Sequence, residues 1–341
     1  MQIFVLDRNF QKLDLIEGFV SFIWTERWAS IGDFELKVPY GHVNSYRLRL
    51  RNYLYIEDSG TLMQIERYEK NTQSEDGDLV TVMGRSIISI LQSKIHPGYD
   101  GVLPAERIAL NLVQQVCVTG TAAIDPRDVI PNLSITIPSS IEGDDIHYST
   151  GPTEIYDEVR KLAEEHDFGI RMRFIFDTGG FLFQTYRGVD RRDQLKFSPT
   201  LGNLNNVGFL RSIEEWRNHA YVTHRDLDYI TPVNAHGWGG VEGALRKAIL
   251  VDASEIEDPT HDKLWRYGQA ALSEYKPVNL VDGELVTNLL TYGVHYNLGD
   301  RVQVEDEIGN LNDARIVEYI WSYDQDGLQS YPTFISEHID D

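Results

Sequence analysis

The segment Gly32-Asp33-Phe34-Glu35-Leu36-Lys37-Val38-Pro39, residues 32–39, decides the fold class because its apolar and charged residues alternate. In an extended chain, successive side chains point to opposite faces, so the apolar set shares one face and the charged set the other. This pattern predicts a β-strand with one buried face. Similar short runs occupy residues 19–24, 53–57, 61–68 and 78–83, with turn-forming residues between them. Strands and turns at such intervals predict hairpins packed as a barrel or sandwich.

The pattern changes after residue 93, where helical spacing appears. Pro104 can occupy the first turn of a helix in which Ile108, Leu112 and Val116 recur on one face. A second helix begins near Gly151-Pro152, and Phe168-Gly169 is expected to end it with a left-handed glycine. A strand at residues 170–176, a turn at 177–180 and a strand at 181–183 follow. These residues therefore predict a mixed α+β region.

The predicted fold class is α+β and β-rich, with two barrel-like β domains and a mixed α+β domain between them. A chain of 341 residues is long enough for two or three domains. We expect a first barrel-like domain at residues 1–93, completed by residues 207–224, and the mixed domain at 94–187. A connecting loop is expected at 188–206, and a second barrel-like domain at 225–341 that contains one helix at about 261–275.

Composition excludes several classes of function. The chain has 53 acidic and 31 basic side chains, a formal net charge of -22, which argues against sequence-independent binding of nucleic acid and against docking on anionic membranes. The single cysteine, Cys117, excludes an intrachain disulfide and a cysteine-rich zinc site. No apolar run approaches the roughly 20 residues of a membrane helix, and no export signal is visible. We therefore expect synthesis in a cytoplasm and no membrane segment.

Two motifs resemble known catalytic or nucleotide-binding loops. His224-Arg225-Asp226-Leu227 matches the start of a kinase catalytic loop, but position 231 is Thr231 rather than asparagine, and no Asp-Phe-Gly triplet follows it in the chain. His236-Gly237-Trp238-Gly239-Gly240, with Gly243, is rich in glycine but lacks the spacing of a dinucleotide site. We interpret the first as a polar connection and the second as a surface loop that can become ordered against a partner.

The remaining candidates are a calcium-like segment, a histidine group and pairs of acids. Residues 322–327 lack the ligands that a calcium loop needs at its first and twelfth positions, so a hairpin turn is predicted. His219 and His224, with Asp226 and Asp228, do not share a face at their spacing. The pairs Asp144-Asp145, Glu164-Glu165 and Glu214-Glu215 are unspecific in so acidic a chain. The sequence therefore predicts no catalytic residue, no cofactor-binding residue, no metal ligand and no cofactor.

Several segments, taken in order, carry a resemblance to a family. They are Phe4-Val5-Leu6-Asp7, Trp24-Thr25-Glu26-Arg27, residues 32–39, Met63-Gln64-Ile65-Glu66, Val80-Thr81-Val82-Met83-Gly84-Arg85-Ser86, Leu250-Val251-Asp252-Ala253-Ser254, Tyr296-Asn297-Leu298-Gly299-Asp300-Arg301-Val302 and Ala314-Arg315-Ile316-Val317-Glu318. Over close to the whole chain, this series resembles siphophage minor tail proteins of the baseplate-hub or tail-associated-lysin N-terminal type, common in phages of actinobacteria.

The resemblance implies a structural virion protein without enzymatic activity. Such proteins form a homotrimeric hub at the distal tail tip, where two barrel-like domains in each of three chains give six modules that meet a six-fold tube. The implied partners are the distal tail protein ring, the tail tube, the tape-measure protein and other minor tail or receptor-binding proteins. DNA would pass through the lumen without specific binding.

Two alternatives stay open. One is a cell-wall hydrolase or endopeptidase of the tail tip, whose turnover of peptidoglycan would depend on one particular acid. The other is a host-receptor or carbohydrate-binding adhesin, which would present exposed aromatic residues such as Trp238 in a shallow groove.

Overall fold

The computed structural model describes residues 2–336 except 42–45, 58, 75–76, 139–140, 142, 236–238, 240, 255, 257, 287–288, 307 and 326; of residues 73, 74, 77 and 336 it describes the backbone alone. The strands are β1 (Ile3–Leu6), β2 (Lys12–Ile16), β3 (Ser21–Arg27), β4 (Asp33–Pro39), β5 (Tyr53–Ile56), β6 (Leu62–Ser74), β7 (Gly77–Ser86), β8 (Ile95–His96), β9 (Tyr99–Pro104), β10 (Leu133–Thr136), β11 (Asp145–Thr150), β12 (Thr153–Glu154), β13 (Gly169–Ile175), β14 (Gly180–Tyr186), β15 (Lys196–Phe197), β16 (Leu204–Ser212), β17 (His219–Thr223), β18 (Thr231–Asn234), β19 (Ala248–Asp252), β20 (Val278–Leu285), β21 (Arg301–Glu305), β22 (Leu311–Asp324) and β23 (Gly327–Ser336). The α-helices are α1 (Ala105–Val113), α2 (Ile155–Glu165) and α3 (His261–Ser273). Short 3-10 helices occupy Ile87–Ser93, Pro126–Asp128 and Gly243–Leu245, and a π-helical turn, Gln114–Val118, continues α1.

The chain is mostly β with some helices, which confirms the α+β, β-rich fold class. Thirteen strands form one sheet in the order β16-β20-β23-β22-β3-β4-β7-β6-β5-β1-β2, and β21 joins β22 to β15. The described strands form no closed barrel, because this order ends at β2 and β16 without joining them. Local alternation specifies hairpins between neighbouring strands, but closure requires pairing of the first and last strands, which no local pattern specifies.

Strand β4 has the alternation that its sequence predicts. Phe34, Leu36 and Val38 are buried, and the residues between them are half-buried. Trp24 of β3 pairs with Phe34 across the strands, and their stacked rings lie 5.8 Å apart between centroids. Aromatic pairs of this kind stabilise a sheet beyond the apolar area they bury, so β3 and β4 are held at the centre of the large sheet.

The two helices predicted after residue 93 are confirmed. Ile108, Leu112 and Val116 are fully buried along α1 and its π-helical turn, and α2 buries its own apolar stripe. The predicted end of α2 was wrong. The helix ends at Glu165, and the left-handed residue is Asp167, with φ of 62°, whereas Gly169 begins β13. Gly169 is needed there because a Cβ would lie 2.5 Å from Cδ1 of Trp28.

The chain divides into two compact units. Unit 1 comprises the described parts of Met1–Gly208 and Asp282–Glu337, and unit 2 comprises Phe209–Val281 with the terminal residues His338–Asp341, which lie outside the described range. In unit 1 the mixed region shares one hydrophobic core with Leu6, Tyr53 and Leu62 of the first strands. The domain boundaries expected at residues 93, 187 and 225 stay predictions, as does the completion of the first domain by residues 207–224.

Unit 2 has a small core between one sheet and one helix. Strand β17 pairs with β18 on one side and with β19 on the other. Helix α3 covers this sheet with Leu264, Gly268 and Leu272, and Thr260 caps its first turn by accepting a hydrogen bond from Lys263 N. The predicted helix at about 261–275 is therefore present.

Residues 188–206, expected as a loop, include β15 and the start of β16.

None of the helices formed by the described residues is long and apolar enough to cross a membrane.

Candidate functional site

The segment that precedes β21 folds into a turn around the buried carboxylate of Asp300. This carboxylate accepts hydrogen bonds from Val189 N and Arg191 Nε, both at 2.7 Å, and from Asn297 N at 3.0 Å. Asp300 is 1% exposed, so water does not compete for these bonds. The turn thereby attaches residues 188–191 to the start of β21.

Trp28 lies beside this turn and fixes its geometry. Gly299 has φ of +89°, and a Cβ on it would lie 2.8 Å from Cδ1 of Trp28. Gly169 approaches the same indole equally closely, and the Arg315 guanidinium carbon lies 4.4 Å from the ring centroid. Two glycines and one cation thus pack around a single indole ring, which joins β13 to the turn.

A cavity of about 460 Å³ lies in unit 1, next to the Asp300 turn. Its wall combines residues from β3, from the segment between β5 and β6, from β13, from the end of β14 and the residues after it, and from the region before β21. These are distant in sequence and include Glu26, Ser59, Arg171, Arg173, Tyr186 and Tyr292. The volume falls in the range of small-molecule sites, roughly 300 to 1,000 Å³. This is therefore the candidate functional site, and we name it the Arg171 cavity.

Glu26 lies buried at the wall of the Arg171 cavity. Ser59 Oγ donates to Glu26 Oε1, Trp24 Nε1 donates to the same oxygen at 3.4 Å, and Tyr292 OH donates to Oε2 at 3.3 Å. Burial raises the pKa of Glu26, while these hydrogen bonds act in the opposite direction. A carboxyl whose charged form is disfavoured in this way is a weak counterion for cations nearby.

Aromatic side chains form much of the remaining wall. Tyr292 stacks on Tyr319, with 4.1 Å between ring centroids, and lies edge-on to Trp321. Tyr186 donates from its hydroxyl to Trp28 O at 3.4 Å. Burial raises the pKa of both Tyr186 and Tyr292, so both phenols stay protonated at neutral pH. The wall therefore offers ring faces and hydroxyl groups rather than nucleophiles.

The kinase-like segment that begins at His224 belongs to unit 2, and none of its residues is among those that line the Arg171 cavity of unit 1. His224 follows β17 in a turn that Leu227 N closes by donating to His224 O at 3.1 Å. His224 Nε2 donates to Ile256 O at 3.0 Å, and Nδ1 accepts from Asp226 N at 3.1 Å. This is the polar connection that the sequence predicts.

The histidine group is also engaged in hydrogen bonds within the protein. His219 Nδ1 lies 2.7 Å from Asn234 Oδ1, and its Nε2 lies 2.5 Å from an Arg246 nitrogen. Asp226 and Asp228 are exposed. Within the described part of the chain, no group of three or more histidine, cysteine or acidic residues is arranged to hold a metal ion.

The other candidates lie at the surface or outside the described residues. Asp144-Asp145 and Glu214-Glu215 are exposed, and Glu164 pairs with Arg160 on α2 at 3.0 Å. Asp324 pairs with Gly327, whose φ is +100°, so residues 322–327 contain the predicted hairpin turn, of which Asp326 is not described. His236, Gly237, Trp238 and Gly240 lie outside the described residues, so the glycine loop and the exposed Trp238 stay predictions.

Sequence reasoning missed the residues that line the Arg171 cavity. Arg171 and Arg173 stand at alternate positions of a strand that was predicted at residues 170–176, so two cations on one face were a visible signal. Glu26 was visible as an acid in an apolar strand. Their convergence depends on contacts between segments more than 100 residues apart, which a local pattern does not reveal.

Solved structures of tail proteins share this fold. The 43 kDa tail protein of prophage MuSo2 from Shewanella oneidensis is similar, with a TM-score of 0.60, 13% identity and 98% of each chain covered. A tail protein from Neisseria meningitidis has a TM-score of 0.59 and 10% identity over 98% of this chain and 96% of its own. Prophage tail protein gp18 from Listeria monocytogenes has a TM-score of 0.53 and 13% identity over 100% of this chain and 96% of its own.

None of the curated proteins matches the chain. Residues 2–334 match the model of a family described as Siphovirus ReqiPepy6 Gp37-like protein. This match spans nearly the whole chain and confirms the predicted resemblance to siphophage minor tail proteins. The chain belongs to the Siphovirus ReqiPepy6 Gp37-like protein family.

Proposed function

We propose that this phage tail protein forms a trimeric hub at the distal tip of a siphophage tail. The hub joins the tail tube or distal tail ring to the host-recognition apparatus and encloses a channel for DNA ejection. The observation that carries the proposal is the family match over residues 2–334, together with a fold shared with tail proteins over nearly the whole chain. The protein acts by assembly, and we expect no turnover of peptidoglycan.

The open sheet supports assembly with other copies. Its strand order ends at β2 and at β16, so within the described range each has a neighbour in that order on one side only. An edge strand presents backbone N–H and C=O groups that another chain can pair with. Contacts between different surfaces of identical subunits close into a ring when the rotation between neighbours divides a full turn. Edge pairing between copies is the kind of contact that we expect to build the hub.

The acidic balance supports a passage that does not retain DNA. One chain has a formal charge of -22, so a trimer would carry about -66. Negative side chains at a lumen would repel the phosphate backbone, and DNA would slide without binding.

The mass of the purified protein in solution tests the trimer. Native mass spectrometry or light scattering is expected to give about 117 kDa, three copies of a 39.1 kDa chain, for the protein alone or mixed with its distal tail protein. A monomer under both conditions would contradict the proposal.

Duplex DNA tests the charge of the passage. We expect no retention of the protein on duplex DNA at low salt, where electrostatic attraction is strongest. Tight binding that weakens steeply with added salt would contradict the repelling lumen while leaving the trimer itself in place.

A further inference from the structure

Two arginines of the Arg171 cavity carry charges that the described residues leave without an ion-pair partner. Arg171 and Arg173 stand at alternate positions of β13, so their side chains leave the same face of that strand. Both line the cavity, with Arg171 half-buried and Arg173 exposed. Arg171 Nε is buried, and no acceptor among the described residues, 2–336 with their gaps, takes its hydrogen bond.

Other arginines at the wall of the cavity are neutralised within the protein. Arg27 forms ion pairs with Asp33 and Glu318, and Arg187 lies 3.4 Å from a carboxylate oxygen of Glu106. A buried donor without an acceptor costs about 1 to 3 kcal/mol, and more when it is charged. Arg27 and Arg187 therefore each have a carboxylate beside them, whereas no described carboxylate forms an ion pair with Arg171.

The nearby acid, Glu26, does not fill this role. Its oxygens are occupied by hydroxyl and indole donors from Ser59, Tyr292 and Trp24. The Arg171 guanidinium carbon lies instead 4.6 Å from the centroid of the Tyr186 ring. A guanidinium that lies against a ring face has its N–H donors free for a planar acceptor.

We propose that the Arg171 cavity binds a carboxylate, with Arg171 as the inner contact and Arg173 at the mouth. A carboxylate matches the guanidinium fork and can accept two parallel hydrogen bonds. The residual negative charge of Glu26 and the ring faces of Tyr186 and Tyr292 favour a planar group with one charge over a phosphate dianion. The carboxylate belongs either to a free small molecule or to an acidic side chain of another tail protein. This inference concerns unit 1 and does not depend on the proposed trimer.

Calorimetric titration of the full chain at constant ionic strength tests the proposal. The probes are sodium acetate, sodium glutarate, a capped peptide rich in glutamate, and inorganic phosphate, with sodium chloride as the blank. We expect saturable binding of at least one carboxylate probe and weaker binding of phosphate. Binding of acetate or glutarate alone identifies a free small molecule as the ligand type, and binding of the peptide identifies an acidic side chain.

In the variant Arg171→Met, an unbranched apolar side chain takes the place of the aliphatic part of the arginine, and the unsatisfied guanidinium donor is removed. We therefore expect the variant to fold. We expect it to weaken carboxylate binding by about tenfold or more. Arg160→Met removes the same charge from the surface of α2, outside the cavity, and is expected to leave binding unchanged. Three results would overturn the proposal: no saturable carboxylate binding by the unaltered chain, equal affinity in the Arg171→Met variant, or tighter binding of phosphate than of every carboxylate.

Discussion

Gly299 lies so close to Trp28 that a Cβ at position 299 would be 2.8 Å from the indole Cδ1. The same glycine has φ of +89°, a conformation that residues with a Cβ rarely adopt. Both constraints act at the turn that carries Asp300, so this turn depends on one glycine and one tryptophan that are 271 positions apart in the sequence.

We predict that Gly299→Ala lowers the free energy of unfolding by about 3 to 4 kcal/mol, because backbone strain adds to the clash with Trp28. Gly309→Ala is the matched control. Gly309 has the same φ of +89°, but its Cβ would meet only Glu305 Oε1, at 3.7 Å. The control should lose about 1 kcal/mol. Urea unfolding of both variants measures the difference, and equal losses would show that Trp28 does not constrain the turn.

We predict that Asp300→Asn lowers the free energy of unfolding by about 2 to 3 kcal/mol, because it leaves Arg191 without its carboxylate and weakens the bonds from Val189 and Asn297. Asp125→Asn is a suitable control, since the Asp125–Arg127 pair lies at the surface. Thermal unfolding should separate the two variants clearly. An Asp300→Asn variant as stable as the control would mean that Asp300 does not hold the turn.

The local fold could be predicted from the sequence where the regular spacing of apolar residues along one segment decides it. The alternation at Phe34, Leu36 and Val38 predicted a buried strand face, and the spacing of Ile108 and Leu112 predicted α1; both are confirmed. The end of α2 could not be predicted, because Gly169 is required by Trp28, which follows the distant strand β3, rather than by the helix.

The Arg171 cavity was beyond prediction for a related reason. Arg171, Glu26 and Tyr292 come from three segments whose meeting depends on the strand order of the large sheet and on the packing of β13 beside it. Alternation fixes which face a side chain occupies, but it does not fix which distant face lies opposite. Neutralised charges elsewhere in the chain, such as the surface pair of Arg160 and Glu164, look the same in sequence as the unpaired ones.

We predict that Glu26→Gln raises the free energy of unfolding, relative to the unaltered protein, by an amount that grows as the pH rises. Burial raises the pKa of Glu26 above its ordinary value of 4.5, so folding favours the protonated carboxyl. The contribution of the protonated carboxyl to the free energy of unfolding is complete at pH values below the ordinary pKa. It is lost as the pH rises through the pKa of the folded protein. Glutamine stays neutral throughout.

Urea unfolding at about pH 4 and at about pH 8 measures this effect, which can change by at most about 1.4 kcal/mol per pH unit for one group. A gain that is the same at both pH values, or that falls with pH, would show that burial does not disfavour the Glu26 carboxylate.

We predict that Gly268→Ala destabilises unit 2, although alanine favours a helix by about 1 kcal/mol over glycine. A Cβ on Gly268 would lie 2.7 Å from methyl carbons of both Val222 and Val233, so α3 would have to move off its sheet. We expect a net loss of about 1 to 2 kcal/mol. Hydrogen exchange of α3 amides should speed up accordingly, and slower exchange would contradict the close packing of α3.

The position of the chain in the virion tests the central claim most directly. A cryo-electron microscopy reconstruction of the intact tail, with antibody labelling of this protein, should show three copies in one ring at the distal tip, next to the tail tube or distal tail ring. Label along the tube or at the head end, or a ring with another number of copies, would contradict the account.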